Sequence, residues 1–324
     1  VQISGTYTPI IGNFAGNLAD DILWYAPGTA PDSLWTSTGR GTFSKRNLSI
    51  NGTYTPLAGD FGGDAFDDIL WYAPGTAPDA LWTSVVGANP FASSPVSVNG
   101  TFRPVVLDLS MDLAIYRTSY PDSLPKDAIV WYRPGAAADF LWSYLSNGSH
   151  TDSPIDIAGS PQLIPFAADG DPFQDLLAYS PGSGPDAIYR YDTGALLKTS
   201  KTVNGTYTPQ VVGGGYLDSI LWLGPGTARD ALWANLDWGG LTDQATQAVD
   251  GTRVVPFGII GDNGYVYVPN GPDRVFVDGY VLGSLDPDVG PGAIPLTGDF
   301  DGDHAIDTFF YRPGAPSETI GYGQ

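Results

Sequence analysis

The chain has 324 residues, 14 Lys and Arg against 35 Asp and Glu, a formal net charge of -21 and no cysteine. That balance excludes phosphate-backbone binding, which needs basic groups to displace counterions, and makes cations the natural partners. The lack of cysteine removes disulfides, thiolate metal sites and cysteine nucleophiles, while 42 Gly and 28 Pro favour short strands and tight turns over helices.

No stretch approaches a membrane span, and a start at Val1 suggests a processed or excised segment. The opening residues Gln2-Ile3-Ser4-Gly5 match two later segments, Ser49-Ile50-Asn51-Gly52 and Ser97-Val98-Asn99-Gly100. Residues 5–36 then align with 52–83, most of the 32 positions being identical, which is a true internal repeat. Weaker copies begin at Gly100, Gly159, Gly205, Gly251 and Gly292, so the units lie about 41 to 59 residues apart, in the propeller range.

The second unit shows the plan most clearly. Pro56 to Phe61 reads as a first strand, Asp68 to Tyr72 as a second, Ala80 to Thr83 as a third after a Pro-Gly turn, and the segment ending Val96 to Gly100 as a fourth. In the first unit Asn13, Asn17 and Asp21 occupy the loop between the first two strands and are expected to hold it by Asx hydrogen bonds. The second unit places Asp60, Asp64 and Asp68 there, with Gly62 where a further carboxylate would stand. An insertion at 109–126 interrupts the third unit and carries Tyr116, Arg117 and Tyr120 in a cation-poor chain, a candidate ligand-binding loop or a longer surface hairpin.

The fourth unit has Asp169, Asp171 and Asp175, the fifth a tryptophan outside the register, Trp238, and the sixth a degenerate Asp262-Asn263-Gly264. Trp238 is the best candidate for an exposed sugar-stacking ring; the in-register rings Trp24, Trp35, Trp71, Trp82, Trp131, Trp142, Trp222 and Trp233 are expected to fill the space between blades. The last unit carries Asp299, Asp301, Asp303 and Asp307 at loop positions 1, 3, 5 and 9, with Gly302 for the bend. Calcium takes six to eight oxygens from a flexible loop, and this spacing wraps alternate carboxylates around one point. The unit ends after its third strand, so the N-terminal segment is expected to supply its fourth.

The expected architecture is all-β: a seven-bladed β-propeller with four antiparallel strands per blade, the ring closed by the N-terminal strand. The blades fall at about 5–51, 52–99, 100–158, 159–204, 205–250, 251–291 and 292–324 with 1–4, in one domain. Closure hides the sheet edges that an open array would expose.

The segments Gly59-Asp60-Phe61-Gly62-Gly63-Asp64 and Gly298-Asp299-Phe300-Asp301-Gly302-Asp303 resemble the FG-GAP/VCBS repeat family of integrin-type propellers, fungal propeller lectins and secreted bacterial proteins. The resemblance implies a calcium-binding loop, a backbone carbonyl near Ala305 completing the shell at Asp299, Asp301, Asp303 and Asp307, with Asp60, Asp64, Asp68 and Asp169, Asp171, Asp175 as further sites. It also implies an extracellular protein. Activity does not follow from it, since one fold serves many functions.

A second acid recurs after each Pro-Gly turn, at Asp32, Asp79, Asp139, Asp186, Asp230 and Asp273, with Glu318 in the equivalent place; its expected role is to accept backbone amide hydrogen bonds. His150 and His304 are the only histidines, and no nucleophile–base–acid or carboxylate pair stands out, so an enzyme is not the expected reading. The leading expectation is a secreted, calcium-stabilised module that binds a glycan or cell-surface ligand. A structural or adhesive subunit that self-associates or docks an extracellular protein is the alternative, and a hydrolase the weakest.

Overall fold

A computed structural model describes residues 3, 5–17, 19–85, 91–109, 126–135, 138–146, 149–171, 173–212, 217–226, 228–234, 242–244, 253–256, 264–267, 274–277, 280–284, 292–315 and 318–322. Tyr116, Arg117, Tyr120, Trp238 and Asp273 lie outside this set.

The described residues are strands and turns without a helix. The first blade is β1 (Thr8–Gly12), β2 (Asp21–Tyr25), β3 (Asp32–Ser37) and β4 (Phe43–Leu48), and the second is β5 (Thr55–Gly59), β6 (Asp68–Tyr72), β7 (Asp79–Ser84) and β8 (Phe91–Val96). The third comprises β9 (Arg103–Leu107), β10 (Ala128–Tyr132), β11 (Asp139–Ser146) and β12 (Ser149–Ile155). The fourth comprises β13 (Gln162–Phe166), β14 (Asp175–Tyr179), β15 (Asp186–Asp192) and β16 (Ala195–Lys201). β17 (Thr208–Val212), β18 (Ser219–Leu223), β19 (Ala231–Ala234) and β20 (Thr242–Gln244) form the fifth, and β21 (Arg253–Pro256), β22 (Gly264–Tyr267), β23 (Arg274–Val277) and β24 (Tyr280–Ser284) the sixth. A last sheet follows from β25 (Ile294–Gly298), β26 (Asp307–Tyr311) and β27 (Thr319–Gly321).

Each sheet is an antiparallel meander of consecutive strands, and the sheets form a ring, a β-propeller. Among the described residues complete four-stranded blades number six, not the seven expected, because the last sheet has three described strands. Ile3 has no strand pairing, and Gln2 and Ser4 fall outside the described residues.

Position within the blade sets the residue pattern. The second strands, such as Asp-Ile-Leu-Trp-Tyr in β2 and β6, are buried at every residue because neighbouring blades cover both faces. First strands alternate, and β4 is exposed at four of its six residues, as an outer rim should be. The core is accordingly interblade: Leu57, Leu70 and Tyr72 of the second blade pack with Ile129, Trp131 and Trp142 of the third. Across the closure Ile22, Trp24 and Trp35 pack with Phe300, Phe309 and Tyr311, and Ile3 joins them.

A tyrosine of one blade meets a tryptophan of the next at Tyr25–Trp71 (5.1 Å), Tyr72–Trp131 (5.0 Å), Tyr179–Trp222 (4.9 Å) and, across the closure, Tyr311–Trp24 (4.9 Å). These spacings and tilts are the favourable ones for aromatic quadrupoles. The same hydroxyls latch the blade links: Tyr25 donates to the Gly52 carbonyl at 2.9 Å and accepts from the Tyr54 amide at 2.9 Å. Tyr311 does likewise with the Gly5 carbonyl (3.1 Å) and the Tyr7 amide (3.0 Å).

Candidate functional site

β25 ends at Gly298, and the chain passes through a loop before β26 begins at Asp307. Phe300 is fully buried in the closure core, so Asp299 and Asp301 on either side of it turn the other way. The Asp299 carboxylate accepts three loop amides, Gly302 (2.7 Å) and Asp303 (3.1 Å) on Oδ1 and His304 (2.9 Å) on Oδ2. Gly302 (φ 79°) and His304 (φ 68°) take the left-handed conformation that this tight wrap requires. Asp307, wholly buried, accepts the Phe300 amide on Oδ2 at 2.9 Å.

Asp299, Asp301 and Asp307 each bring a carboxylate oxygen within 4.8 Å of the others, the only such acidic group among the described residues. The Asp301 side chain is 3% exposed, yet its Oδ1 has no hydrogen-bond partner. A buried, unpaired carboxylate oxygen is costly unless something positive meets it. Its Oδ2 accepts from Arg40 Nε at 2.7 Å. Asp303 stands outside the group: its Oδ1 accepts the Ala305 amide at 2.9 Å and its Oδ2 lies 3.8 Å from the Arg40 guanidinium. Ala305 itself is buried.

The second unit keeps the loop but not the set. Asp60 accepts the amides of Gly63, Asp64 and Ala65, and Asp64 that of Phe66. Asp68 Oδ1 accepts the Ser84 amide at 2.8 Å, while its Oδ2 is buried without a partner. Burial pushes the Asp68 carboxyl up to about 8, and burial likewise raises Asp60. A Cβ at Gly62 would lie 3.3 Å from Asp68 Oδ2, so this position faces the acids with its backbone amide but brings no carboxylate to them.

In the fourth unit both Asp175 oxygens are taken, by the amides of Ala168 (3.0 Å) and Tyr191 (2.9 Å), and burial lifts its carboxyl to about 7. Asp171 receives the Phe173 amide, and Asp169 sits 3.7 Å from Arg190. In the first unit Asn13 and Asn17 accept the amides of Gly16 and Ala19, the Asx bonds expected of them.

The acids after the Pro-Gly turns accept backbone amides as expected. Asp32 takes Ala26 (2.8 Å) and Ile50 (2.6 Å), Asp79 takes Ala73 and Val98, Asp139 takes Arg133 and Ile157, and Asp186 takes Ser180 and Val203. One oxygen holds the turn and the other the link to the next blade.

A third set, four acids and one glutamine, is not marked by the turn motifs. Asp20, Asp67, Asp127, Gln174 and Asp218 each sit just before a second strand and reach back to the preceding blade's loop. Asp67 Oδ2 accepts the Asn13 amide (2.7 Å), Asp127 Oδ2 that of Asp60 (2.8 Å), Gln174 Oε1 that of Asp108 (3.0 Å), Asp218 Oδ2 that of Ala167 (2.8 Å) and Asp20 Oδ2 that of Asp299 (2.8 Å). Each of the five also donates its own amide to the carbonyl of the residue it holds, Asp20 to Asp299 at 2.6 Å. The signal was present as the paired acids Asp20-Asp21 and Asp67-Asp68.

Away from the loops, an open groove of about 390 Å³ runs between the second blade's exit and the third blade, lined by Ser97, Asn99, Asp139, Phe140, His150 and Asp152 among others. His150 lies flat on Trp142, centroids 3.7 Å apart at 20°, with Nε2 3.2 Å from Asp152 Oδ1. Of the eight in-register tryptophans, Trp24, Trp71, Trp131, Trp222, Trp35 and Trp142 are buried as interblade filling, while Trp82 and Trp233 are partly buried against it.

No family model matches the chain, and no curated protein matches it.

Proposed function

We propose that this chain is a non-catalytic, secreted binding module of FG-GAP/VCBS type, stabilised by calcium in the 299–307 loop. The single observation that carries this is the Asp301 carboxylate oxygen, buried without a partner beside Asp299 and Asp307. Three carboxylates in an oxygen-rich loop suit a hard cation, which would supply charge neutralisation and bind only the folded ring. Asp299, Asp301 and Asp307 would hold it, with Asp303 and the Ala305 carbonyl as further oxygens of the loop. The loops at Asp60, Asp64, Asp68 and at Asp169, Asp171, Asp175 would hold it more weakly.

The ring reads as seven blades, the last completed by the N-terminal segment. Ile3 is buried against the last sheet's Phe309 and Tyr311, and Gly5 accepts from the Gly314 amide at 3.2 Å. That bond stands where Gly28 pairs with Gly52, and Gly75 with Gly100, in the complete blades.

The ligand class this reading favours is a glycan, taken up in the polar groove at Asn99, His150 and Asp152, where hydroxyl partners flank aromatic rings. Large exposed hydrophobics among the described residues are Val85, Leu197 and Ile294, on three different blades, which favours a polar ligand over an apolar docking partner. A glycan array probed in millimolar calcium with the protein and with Asp152→Ala tests it. Binding lost in the variant supports the reading, and no glycan retained at high micromolar protein overturns it.

A further inference from the structure

Arg40 belongs to the turn between β3 and β4 of the first blade, yet its guanidinium lies on the last sheet's loop. Nε meets Asp301 Oδ2 at 2.7 Å, a terminal nitrogen stands 3.8 Å from Asp303 Oδ2, and the group lies over the Tyr322 ring, 5.5 Å from its centroid. The side chain is 63% exposed, so it can leave without unpacking a core. Lys and Arg are few in this chain, and this one is placed on the loop whose three acids come closest together.

A guanidinium and a divalent ion on the same carboxylate oppose each other. With Asp301 already sharing its outer oxygen with a positive charge, a second cation on its inner oxygen is repelled by that charge at close range. Asp303 has the same divided position: facing Arg40, it stands outside the close acidic group.

We infer that Arg40 is a tethered counter-cation that neutralises Asp301 and Asp303 when the loop holds no divalent ion and yields them when one binds. The inference rests on the reading of this loop as a cation site. Because Arg40 comes from the first blade and the loop from the last, uptake of the ion is coupled to the seam where the ring closes. In the ion-free form Arg40 bridges the seam; in the ion-bound form the turn around Gly39 and Gly41 is released and Asp303 is free to join the ligands. The device sets the affinity of the loop and converts ion binding into a movement of the first blade's β3–β4 turn.

Calorimetric titration of the intact chain with calcium chloride tests this, comparing the wild type with Arg40→Gln and Arg40→Lys. The expected result is calcium affinity about tenfold tighter in Arg40→Gln, near wild type in Arg40→Lys, and a lower melting temperature for Arg40→Gln in chelator. Equal or weaker calcium binding by Arg40→Gln overturns the inference while leaving the cation site standing. Absence of binding in the wild type and in Arg40→Gln alike overturns both.

Discussion

A Cβ added to Gly298 would sit 2.7 Å from Oδ2 of Asp20, although the two residues lie at opposite ends of the chain. The glycine is there so that the Asp20 carboxylate can pass close over the backbone and accept the Asp299 amide. The same close approach recurs at Gly59, where a Cβ would meet Asp127 Oδ2 at 2.7 Å, and at Gly12, where it would meet Asp67 Oδ2 at 2.9 Å. In each case a carboxylate and an amide of one blade grip the first residue of the neighbouring blade's loop.

Removing the grip at the closure should therefore destabilise the whole ring. Asp20→Ala leaves the Asp299 amide without its acceptor and is expected to cost about 1–3 kcal/mol. Gly298→Ala should cost a similar amount by overpacking. Because both changes act on one contact, the double variant should be less destabilised than the sum. Urea unfolding of the four proteins checks it, and strict additivity would show that the two residues are independent.

Gly62 marks the difference between the second loop and the last. It faces Asp64 and Asp68, and its φ is not in the left-handed region, so a side chain there meets no backbone strain. Gly62→Asp should bring the loop to the carboxylate pattern of Asp299, Asp301 and Asp307 and tighten its weak calcium binding in a titration. The variant should be less stable than wild type in chelator, because another acid joins the already raised Asp60 and Asp68. Unchanged affinity would show that the acid pattern alone does not make the site.

Stability should also depend on pH through Asp21, which is fully buried under the first loop. Burial pushes its carboxyl up to about 7, against the opposing pull of the Ser37 and Ala15 amides. The unfolded chain releases this proton near pH 4, so between about 4 and 7 the folded form holds one proton more. Stability is then greatest below that window and falls as the pH rises through it, by up to about 1.4 kcal/mol per pH unit. Unfolding midpoints measured in chelator at pH 4.5 to 8 should decline in the wild type and decline less in Asp21→Asn. Parallel slopes would remove Asp21 as the cause.

What the sequence disclosed and what it hid follow from the geometry of a ring. Asp79 was legible because both its partners, Ala73 and Val98, lie in its own unit, where turn chemistry can be read locally. Asp67 and Asp127 were not, because their partners Asn13 and Asp60 belong to the unit before; comparing units tells which residues recur but not which blade they face. The strand order and the buried aromatics came from periodicity alone. Asp303 matched the loop spacing, yet Arg40, distant in sequence, engages it from the first blade. The last sheet has three described strands where four were expected: Ile3 packs into the closure core, while Gln2 and Ser4 on either side lie outside the described residues.

The most direct test of the account is the melting temperature of the wild type and of Asp301→Asn, each in chelator and in millimolar calcium. A loop built for a cation predicts a rise of about 5 °C or more for the wild type in calcium and almost none for the variant. The same melting temperature for the wild type in both buffers would contradict it.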